Sequence, residues 1–222
     1  MAENPLTYLP QKPAQAIPKG TLVYGPGASS DFLYAAIAGR VLISHTVSGG
    51  GQTVGRIVPS GGLFGESALG GVRPAPLESA AAMDDVTLMS WTREEVERQI
   101  EREPRLGVAL CQTMARQGLQ LQERIESMAV HKTRERVVLA LLRLAAELGT
   151  EMPDGTVRLA SLPHHTLAEY VGTSREVVTF QMNRLRRLGL IRYSRQFIDV
   201  DPKSLRAALE PSPRAKEKAI HS

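Results

Sequence analysis

Short apolar runs, separated by glycine-containing turns, fill the first part of the chain. Residues 19–90 include the runs TLVYG, FLYAAIAG, RVLISHTVS, QTVGRIV and VTLMSW, and glycine or proline recurs where turns are needed. This pattern is typical of short β-strands that are joined by tight turns. It predicts an all-β sandwich or barrel. Residues 1–18 hold four prolines and little periodicity, so we predict an extended arm before it.

From Thr92 the pattern changes to that of helices. Thr92 can cap a helix whose first turn holds Glu94 and Glu95, and Pro104 marks a new start. Positions further on recur at heptad-like steps of four and three residues. They are Leu110, Met114, Gln117, Leu121, Arg124 and Met128. This spacing predicts a helix that pairs with a parallel copy of itself, and packing on its own domain is the alternative.

A third helical pattern, over 131–149, ends at Gly149, and a turn and a short strand follow. The helical pattern HHTLAEYV then breaks at Gly172 and restarts at once. Gly172 can adopt the left-handed conformation that ends a helix, and Ser174 can cap the next one. Two helices joined by a tight glycine-containing turn form a helix-turn-helix.

The second of these helices has two distinct faces at about 100° per residue. Its apolar arc, which we predict to be buried, contains Val177, Val178, Met182, Leu185 and Leu188. Its opposite face contains Arg175, Glu176, Thr179, Phe180, Asn183 and Arg187. A surface that enters the DNA major groove explains this set, because arginine can bond guanine, glutamate can accept from cytosine and phenylalanine can contact a thymine methyl. The alternative is a three-helix core with an incidental surface phenylalanine.

The stretch GLIRYSRQFIDVD (189–201) alternates apolar and polar residues around a polar turn. It predicts a β-hairpin wing in which Arg192 and Arg195 contact phosphates, supplying affinity without sequence information.

The distribution of charge along the chain agrees with an interaction with nucleic acid. From residue 131 onward there are 16 lysines and arginines against 10 acidic residues, whereas residues 1–130 carry 11 against 13. A basic second half suggests nucleic-acid binding.

Several other classes of protein find little support in the sequence. The first residues contain no long apolar run, and no stretch approaches the roughly 20 apolar residues of a membrane helix. The single cysteine, Cys111, allows no internal disulfide, and we interpret it as a small core side chain. We therefore expect a cytoplasmic protein without membrane contact.

Catalytic and metal-binding chemistry also lack a motif. The glycine-rich segment 49–55 does not end in the Gly-Lys-Ser/Thr of a phosphate loop. His164 and His165 have no cysteine partner or metal-ligand spacing, and His45 and His131 are isolated. No nucleophile–base arrangement or catalytic carboxylate pair is recognisable. We expect no metal, no cofactor and no enzymatic activity.

Two segments resemble the cyclic-AMP receptor protein and fumarate–nitrate regulator (CRP/FNR) family of bacterial transcription factors. KGTLVYGPGASSDFLYAAIAGRVLI with IVPSGGLFGESALGG is similar to the family's cyclic-nucleotide-binding jelly roll. LAEYVGTSREVVTFQMNRLRRLGLI is similar to its winged helix-turn-helix. The order of β-roll, long helix and winged helix also fits, and together the resemblance covers roughly residues 19–202.

The resemblance implies roles for individual residues. Arg175 and Glu176 match the family's base-reading pair, and Thr173 and Ser174 match its turn and cap. The next base-reading position is usually arginine, and here it is Phe180. We expect this departure to change specificity at one base pair of each half-site.

The candidate ligand residues are Gly65, Glu66, Ser67 and Arg73. In cyclic-AMP-binding members of the family, the glutamate takes the ribose hydroxyl, and an arginine followed by serine or threonine takes the cyclic phosphate. Here Arg73 is followed by Pro74. Losing that charge-assisted contact costs about 1.5–3 kcal/mol, so we predict no strong cyclic-AMP binding. A structural turn, a nucleotide site and a site for another small ligand remain open.

The sequence thus predicts an α+β chain in five parts. They are an extended arm (1–18), a cyclic-nucleotide-binding-like β-roll (19–103), a dimerisation helix (104–131), a winged helix-turn-helix (132–210) and a tail (211–222). We predict a homodimeric regulator that binds an inverted-repeat DNA operator without needing cyclic AMP, with RNA polymerase as a partner. The alternatives are the same regulator gated by a small effector and, more distantly, a β-roll adaptor for a partner protein.

Overall fold

The structure, a computed structural model, describes residues 3–25, 31–47, 49–70 and 78–209. Arg73 and the tail at 211–222 lie outside these ranges. The chain divides into two compact units, Met1–Arg124 and Ile125–Ser222.

The first unit is built from two antiparallel four-stranded sheets. In sheet order, one contains β1 (Gln15–Ile17), β8 (Val86–Thr92), β3 (Phe32–Ala38) and β6 (Gly62–Phe64). The other contains β2 (Leu22–Tyr24), β7 (Glu78–Ala82), β4 (Val41–Thr46) and β5 (Gln52–Val58). Buried side chains from both sheets, among them Phe64 and Leu88 from the first and Val41 and Val58 from the second, form one core. The predicted β-roll is therefore confirmed.

The N-terminal arm belongs to this unit rather than extending from it. Asn4 caps a single helical turn at Pro5–Thr7, and β1 pairs with β8. Leu9 is buried in a second core that also contains Trp91, whose indole N–H donates to the Pro10 carbonyl at 2.9 Å. Long-range contacts hold the arm on the first unit. The local pattern of the proline-rich sequence therefore gave no indication of this placement.

Two helices follow the sheets, α1 (Arg93–Arg102) and α2 (Arg105–Val130). Thr92 caps α1 as predicted, and its hydroxyl and the Glu95 carboxylate each accept a hydrogen bond from the other's backbone N–H. Val96 and Leu106 from these helices are fully buried against the β-roll in the second core.

Three of the six heptad-like positions on α2 face the β-roll of their own chain. Leu110 is only 5% exposed and lies in the second core. The Gln117 amide donates to Glu66 at 2.9 Å, and Arg124 donates to the carbonyls of Val54 and Gly55. Leu110, Gln117 and Arg124 therefore pack within the first unit, which corrects their assignment to a seam between two copies.

The exposed side chains of α2 recur at a spacing related to that of the predicted heptad-like positions. Met114, Leu121 and Met128 are shared with the prediction and are 38%, 56% and 42% exposed. The intervening exposed positions are Cys111, Gly118 and Ile125, which gives heptad steps of three and four. We call this set, Cys111, Met114, Gly118, Leu121, Ile125 and Met128, the α2 seam. Cys111 is exposed, so its interpretation as a core side chain was wrong.

The described part of the second unit carries the helices α3 to α6 and a small sheet. The helices are α3 (Thr133–Leu148), α4 (His164–Val171) and α5 (Arg175–Arg187), and α6 (Pro202–Ala207) follows the sheet. The antiparallel sheet contains β11 (Ile191–Tyr193), β12 (Phe197–Val200), β10 (Val157–Ala160) and β9 (Thr150–Glu151), in that order. Helix α3 contacts both α4 and α5. This is the predicted winged helix-turn-helix.

Most of the predicted apolar arc of α5 is buried. Val178, Met182 and Leu185 are at most 2% exposed. Leu188 is 57% exposed, so its placement in the buried arc was wrong. Leu188 is the C-cap of α5, and Gly189 then turns the chain with a φ of 72°, so Leu188 lies at the exposed end of the helix. Across the described ranges, no helix is long and apolar enough to cross a membrane.

Candidate nucleic-acid interface

The break between α4 and α5 has the predicted geometry. Gly172 adopts the left-handed conformation, with a φ of 75° and a ψ of 51°, and ends α4. The N–H groups of Gly172 and Thr173 both donate to the Ala168 carbonyl. Ser174 caps α5, and its hydroxyl accepts from the Val177 N–H at 3.4 Å. A residue with a Cβ at position 172 would be strained in this conformation, which explains the glycine.

The predicted DNA-binding residues of α5 share one side of the helix. Arg175, Glu176 and Arg187 are exposed, as is the cap Ser174, and Phe180 is 58% exposed. Thr179 and Asn183 are half-buried at the margin of this surface. An exposed phenylalanine between charged side chains is suited to contact with an apolar group on a partner, such as a thymine methyl.

The exposed surface of α5 carries charges at both ends of the helix. Hydrogen bonds from its own backbone N–H and from Ser174 hold the pKa of Glu176 below its usual range, so this side chain is a charged acceptor at neutral pH. At the other end, Arg184, Arg186 and Arg187 occupy the last turn of α5. The surface therefore offers acceptors near the start of the helix and donors along its length.

Three residues to which the sequence assigned no role in DNA binding contact the margin of this surface. His164 Nδ1 lies 2.9 Å from Thr179 Oγ1. Tyr193 OH and Arg186 Nη2 both donate to Asn183 Oδ1, at 3.0 and 3.2 Å. Partial burial, and then Arg175, hold the pKa of His164 below its usual range, so it is neutral at pH 7. The alternation of β11 placed Tyr193 on a strand, but no sequence signal joined it to α5.

The two arginines of the predicted wing differ in their surroundings. Arg192 Nη2 donates to Asp154 at 2.8 Å and lies 3.5 Å from Asp199. Asp199 is 2% exposed and also receives two hydrogen bonds from Arg158. Arg192 thus has carboxylate partners within the domain. Arg195 is exposed in the turn between β11 and β12.

A cleft is lined by residues from the start of α4, from α5 and from the wing. Its volume is about 410 Å³, and its lining includes His164, Arg186, Tyr193 and Arg195. Two of these four side chains are arginines, so the cleft can accept an anionic group such as a backbone phosphate.

The candidate ligand residues lie in the β-roll, except for Arg73, which is outside the described ranges. Gly65 adopts the left-handed conformation before a short helical turn at Glu66–Ala68. Arg56 Nη2 donates to both oxygens of the Glu66 carboxylate, at 3.0 and 3.1 Å, and Gln117 donates to one of them. Sequence reasoning missed Arg56. The Ser67 hydroxyl is buried and has no hydrogen-bond partner among the described residues.

The part of the chain that the structure describes contains no cluster of side chains suited to bind a metal ion. There, no group of three or more histidine, cysteine, aspartate or glutamate side chains could hold a metal ion.

Comparison with known proteins agrees with both halves of the fold. Residues 14–103 match the family model of the cyclic nucleotide-binding domain, and residues 135–208 match that of the Crp-like helix-turn-helix domain. The first match contains the candidate ligand residues, and the second contains every predicted DNA-binding residue of α5 and the wing.

Relatives extend the similarity over most of the chain. The Cyclic AMP receptor protein of Thermus thermophilus is 30% identical over 185 residues, which is 82% of this chain and 81% of the relative. The Global nitrogen regulator of Synechocystis is 28% identical over 179 residues, 80% of each chain. A solved CRP/FNR-family transcriptional regulator from Thermus thermophilus is 29% identical, with a TM-score of 0.70 over 88% of this chain and 97% of that one. The chain therefore belongs to the CRP/FNR family of DNA-binding transcriptional regulators, which are not enzymes.

Proposed function

We propose that this chain acts as a homodimer that reads an inverted-repeat DNA operator and does not need cyclic AMP to do so. The observation that carries the proposal is the exposed surface of α5, where Phe180 is 58% exposed between the charged side chains of Arg175, Glu176 and Arg187. An exposed aromatic ring on such a surface needs a partner with apolar and polar groups side by side, and the major groove presents both.

The α2 seam supports dimerisation. Leu121 and Ile125 are 56% and 59% exposed, and the seam repeats at the heptad spacing of paired parallel helices. A second copy would bury these side chains, and each fully buried leucine or isoleucine contributes about 1.5–3 kcal/mol. A two-fold dimer then presents two recognition helices about 34–36 Å apart, which is one turn of DNA and requires a palindromic operator.

Independence from cyclic AMP is supported by the surroundings of Glu66. Its carboxylate already accepts from Arg56 and Gln117. A ribose hydroxyl would have to compete with a guanidinium, whose hydrogen bonds to a carboxylate contribute about 1.5–3 kcal/mol. The names of the relatives also differ, since one is a cyclic AMP receptor protein and another a nitrogen regulator. A shared β-roll therefore does not specify the effector.

One observation favours the second candidate, a regulator that is gated by a small effector. The buried hydroxyl of Ser67 has no partner among the described residues, and a buried polar group without a partner costs about 1–3 kcal/mol. A bound ligand would supply that hydrogen-bond partner.

With or without an effector, we propose that the protein works on DNA in the cytoplasm with RNA polymerase as its partner, as the family resemblance implies.

The test is a DNA site selection with the purified full-length protein, with and without cyclic AMP, at one stated salt concentration. We expect the protein alone to enrich an inverted repeat, and cyclic AMP to change neither the site nor the affinity. Enrichment only with cyclic AMP would support the effector-gated candidate. No enrichment under either condition, together with no DNA binding in the presence of other effectors, would favour the adaptor.

Phe180→Arg should change which base pair is selected at one position of each half-site. Arginine can bond guanine O6 and N7, whereas phenylalanine can only contact apolar groups such as the thymine methyl. We expect the preferred base at that position to shift to guanine in a site selection. Leu188→Arg is the matched control, because Leu188 is 57% exposed but lies beyond the end of α5. Leu188→Arg should yield the same site as the unchanged protein. If Phe180→Arg also yields that site, Phe180 does not read bases.

Arg195→Ala should weaken binding to all DNA sequences. Loss of one phosphate contact lowers affinity uniformly and reduces the slope of log affinity against log salt by about one. We expect a smaller change in slope for Arg192→Ala, because its guanidinium already contacts Asp154 and Asp199. Salt titrations on cognate and random duplexes measure both. An effect of Arg195→Ala on the cognate duplex alone would contradict a phosphate role.

A further inference from the structure

The side-chain amide of Asn183 is held by two donors from within its own domain. Arg186 Nη2 lies 3.2 Å from Asn183 Oδ1, one turn along α5, and Tyr193 OH in β11 lies 3.0 Å from the same oxygen. The Arg186 guanidinium also lies over the Tyr193 ring, 5.2 Å from its centre. His164 contacts the ring edge-on, at 5.7 Å between ring centres. The tyrosine is thus fixed from two sides.

These contacts determine which way the amide points. A guanidinium can only donate hydrogen bonds, so the group that faces Arg186 must be the oxygen of the amide and not its nitrogen. A carbonyl oxygen has two lone pairs, and here both are used, one by Arg186 and one by Tyr193. The amide nitrogen, Nδ2, is the part of Asn183 that remains to contact a partner, and it can only donate.

A donor-only asparagine reads DNA differently from a free one. The usual asparagine contact with adenine is bidentate, since the amide oxygen accepts from N6 while the amide nitrogen donates to N7. That contact requires an oxygen that Asn183 does not have available. Guanine presents two acceptors, O6 and N7, in the major groove, and these suit a group that only donates.

We infer that Arg186 and Tyr193 are specificity-determining residues, which act by positioning Asn183 so that it prefers guanine over adenine at one base pair of each half-site. The inference rests on the proposed function, because it requires the surface of α5 to enter the major groove. Neither Arg186 nor Tyr193 needs to touch the base itself. The base preference is set by a contact between the wing and the recognition helix.

The test is a site selection with the full-length protein and four variants. Asn183→Ala identifies the base pair that Asn183 reads, because preference there should flatten. The double variant Tyr193→Phe with Arg186→Met removes both donors while keeping the aromatic ring and most of the aliphatic stem. In it the amide is free to rotate and accept, and we expect the ratio of adenine to guanine at that base pair to rise by roughly fivefold to tenfold, the lower part of what a bidentate contact provides.

Two controls separate this effect from a loss of charge or of fold. Arg187→Met removes the neighbouring arginine of α5, which is not one of the two donors to Asn183, and it should weaken binding without shifting preference from guanine to adenine. Adding Asn183→Ala to the double variant should abolish the shift. Thermal unfolding of each variant tests whether the domain is intact.

The outcomes distinguish the inference from the function beneath it. If the unchanged protein enriches no inverted repeat, the proposed function fails, and the inference fails with it. If the repeat is enriched but the double variant keeps the base preference of the unchanged protein, only the inference is overturned. The same holds if Asn183→Ala flattens no position, or if Arg187→Met produces the same shift as the double variant.

Discussion

Leu121→Glu is expected to convert the protein to a monomer and to lower its affinity for an operator by at least roughly 100-fold. Leu121 is 56% exposed in the middle of the α2 seam. In a two-fold dimer the change removes two buried leucines, each contributing about 1.5–3 kcal/mol, and places two carboxylates near each other in an apolar contact. The sum is at least about 3 kcal/mol, which exceeds a factor of 100 in the dimer equilibrium.

Sedimentation analysis measures the association state, and titration with the selected duplex measures the affinity. Leu119→Glu is the matched control, since Leu119 is 61% exposed on the same helix but lies outside the seam. It should leave the dimer intact. A dimeric Leu121→Glu protein, or a monomeric Leu119→Glu protein, would show that the seam is not the contact between copies.

Arg175→Ala is expected to weaken binding to the cognate operator by roughly 5- to 150-fold, which corresponds to the 1–3 kcal/mol of a bidentate arginine–guanine contact. The residue is exposed in the first turn of α5, beside the turn that Gly172 and Ser174 define. Binding to random DNA should fall much less, because a base contact contributes little there. Preference should also relax at one guanine of each half-site.

Equilibrium titrations of the variant on cognate and random duplexes at one salt concentration measure the ratio. Arg206→Ala serves as the control, because Arg206 is an exposed arginine of α6 and not part of the recognition helix or the wing. Equal losses on the two duplexes would assign Arg175 to phosphate rather than to a base.

The helix-turn-helix was predictable because its determinants are local. A left-handed glycine ends one helix and a serine caps the next within three residues, and the apolar arc of α5 then follows from helical periodicity. The structure has Gly172, Ser174, Val178 and Met182 as these rules require. The same rules failed at Leu188, since periodicity cannot say where a helix stops.

The phase of α2 was not predictable in the same way. Two sets of positions share Met114, Leu121 and Met128, and near the start of the helix they differ in whether Leu110 or Cys111 belongs with them. Leucine is the more apolar of the two, so the sequence favoured the wrong neighbour. The packing of Leu110 in the second core decides the phase, and this contact joins α2 to strands that are distant in the chain.

Side-chain partners in the two candidate sites were also beyond the sequence. Arg56 lies 10 residues from Glu66, and Arg192 lies 38 residues from Asp154. Each arginine was visible as a charge, but not as one half of an ion pair. Tyr193 likewise gave no indication that it bonds Asn183, because that contact depends on how the wing packs on α5.

By itself, the sequence determined the β-roll, the long helix, the winged helix-turn-helix and the exposed polar surface of α5, because periodicity, caps and turns act over a few neighbouring residues. Only the tertiary structure decided the place of the N-terminal arm, the exposed seam of α2, the partners of Glu66 and Arg192, and the orientation of Asn183. These features depend on contacts between residues far apart in the chain, and a local pattern carries no information about which distant side chain will be the partner.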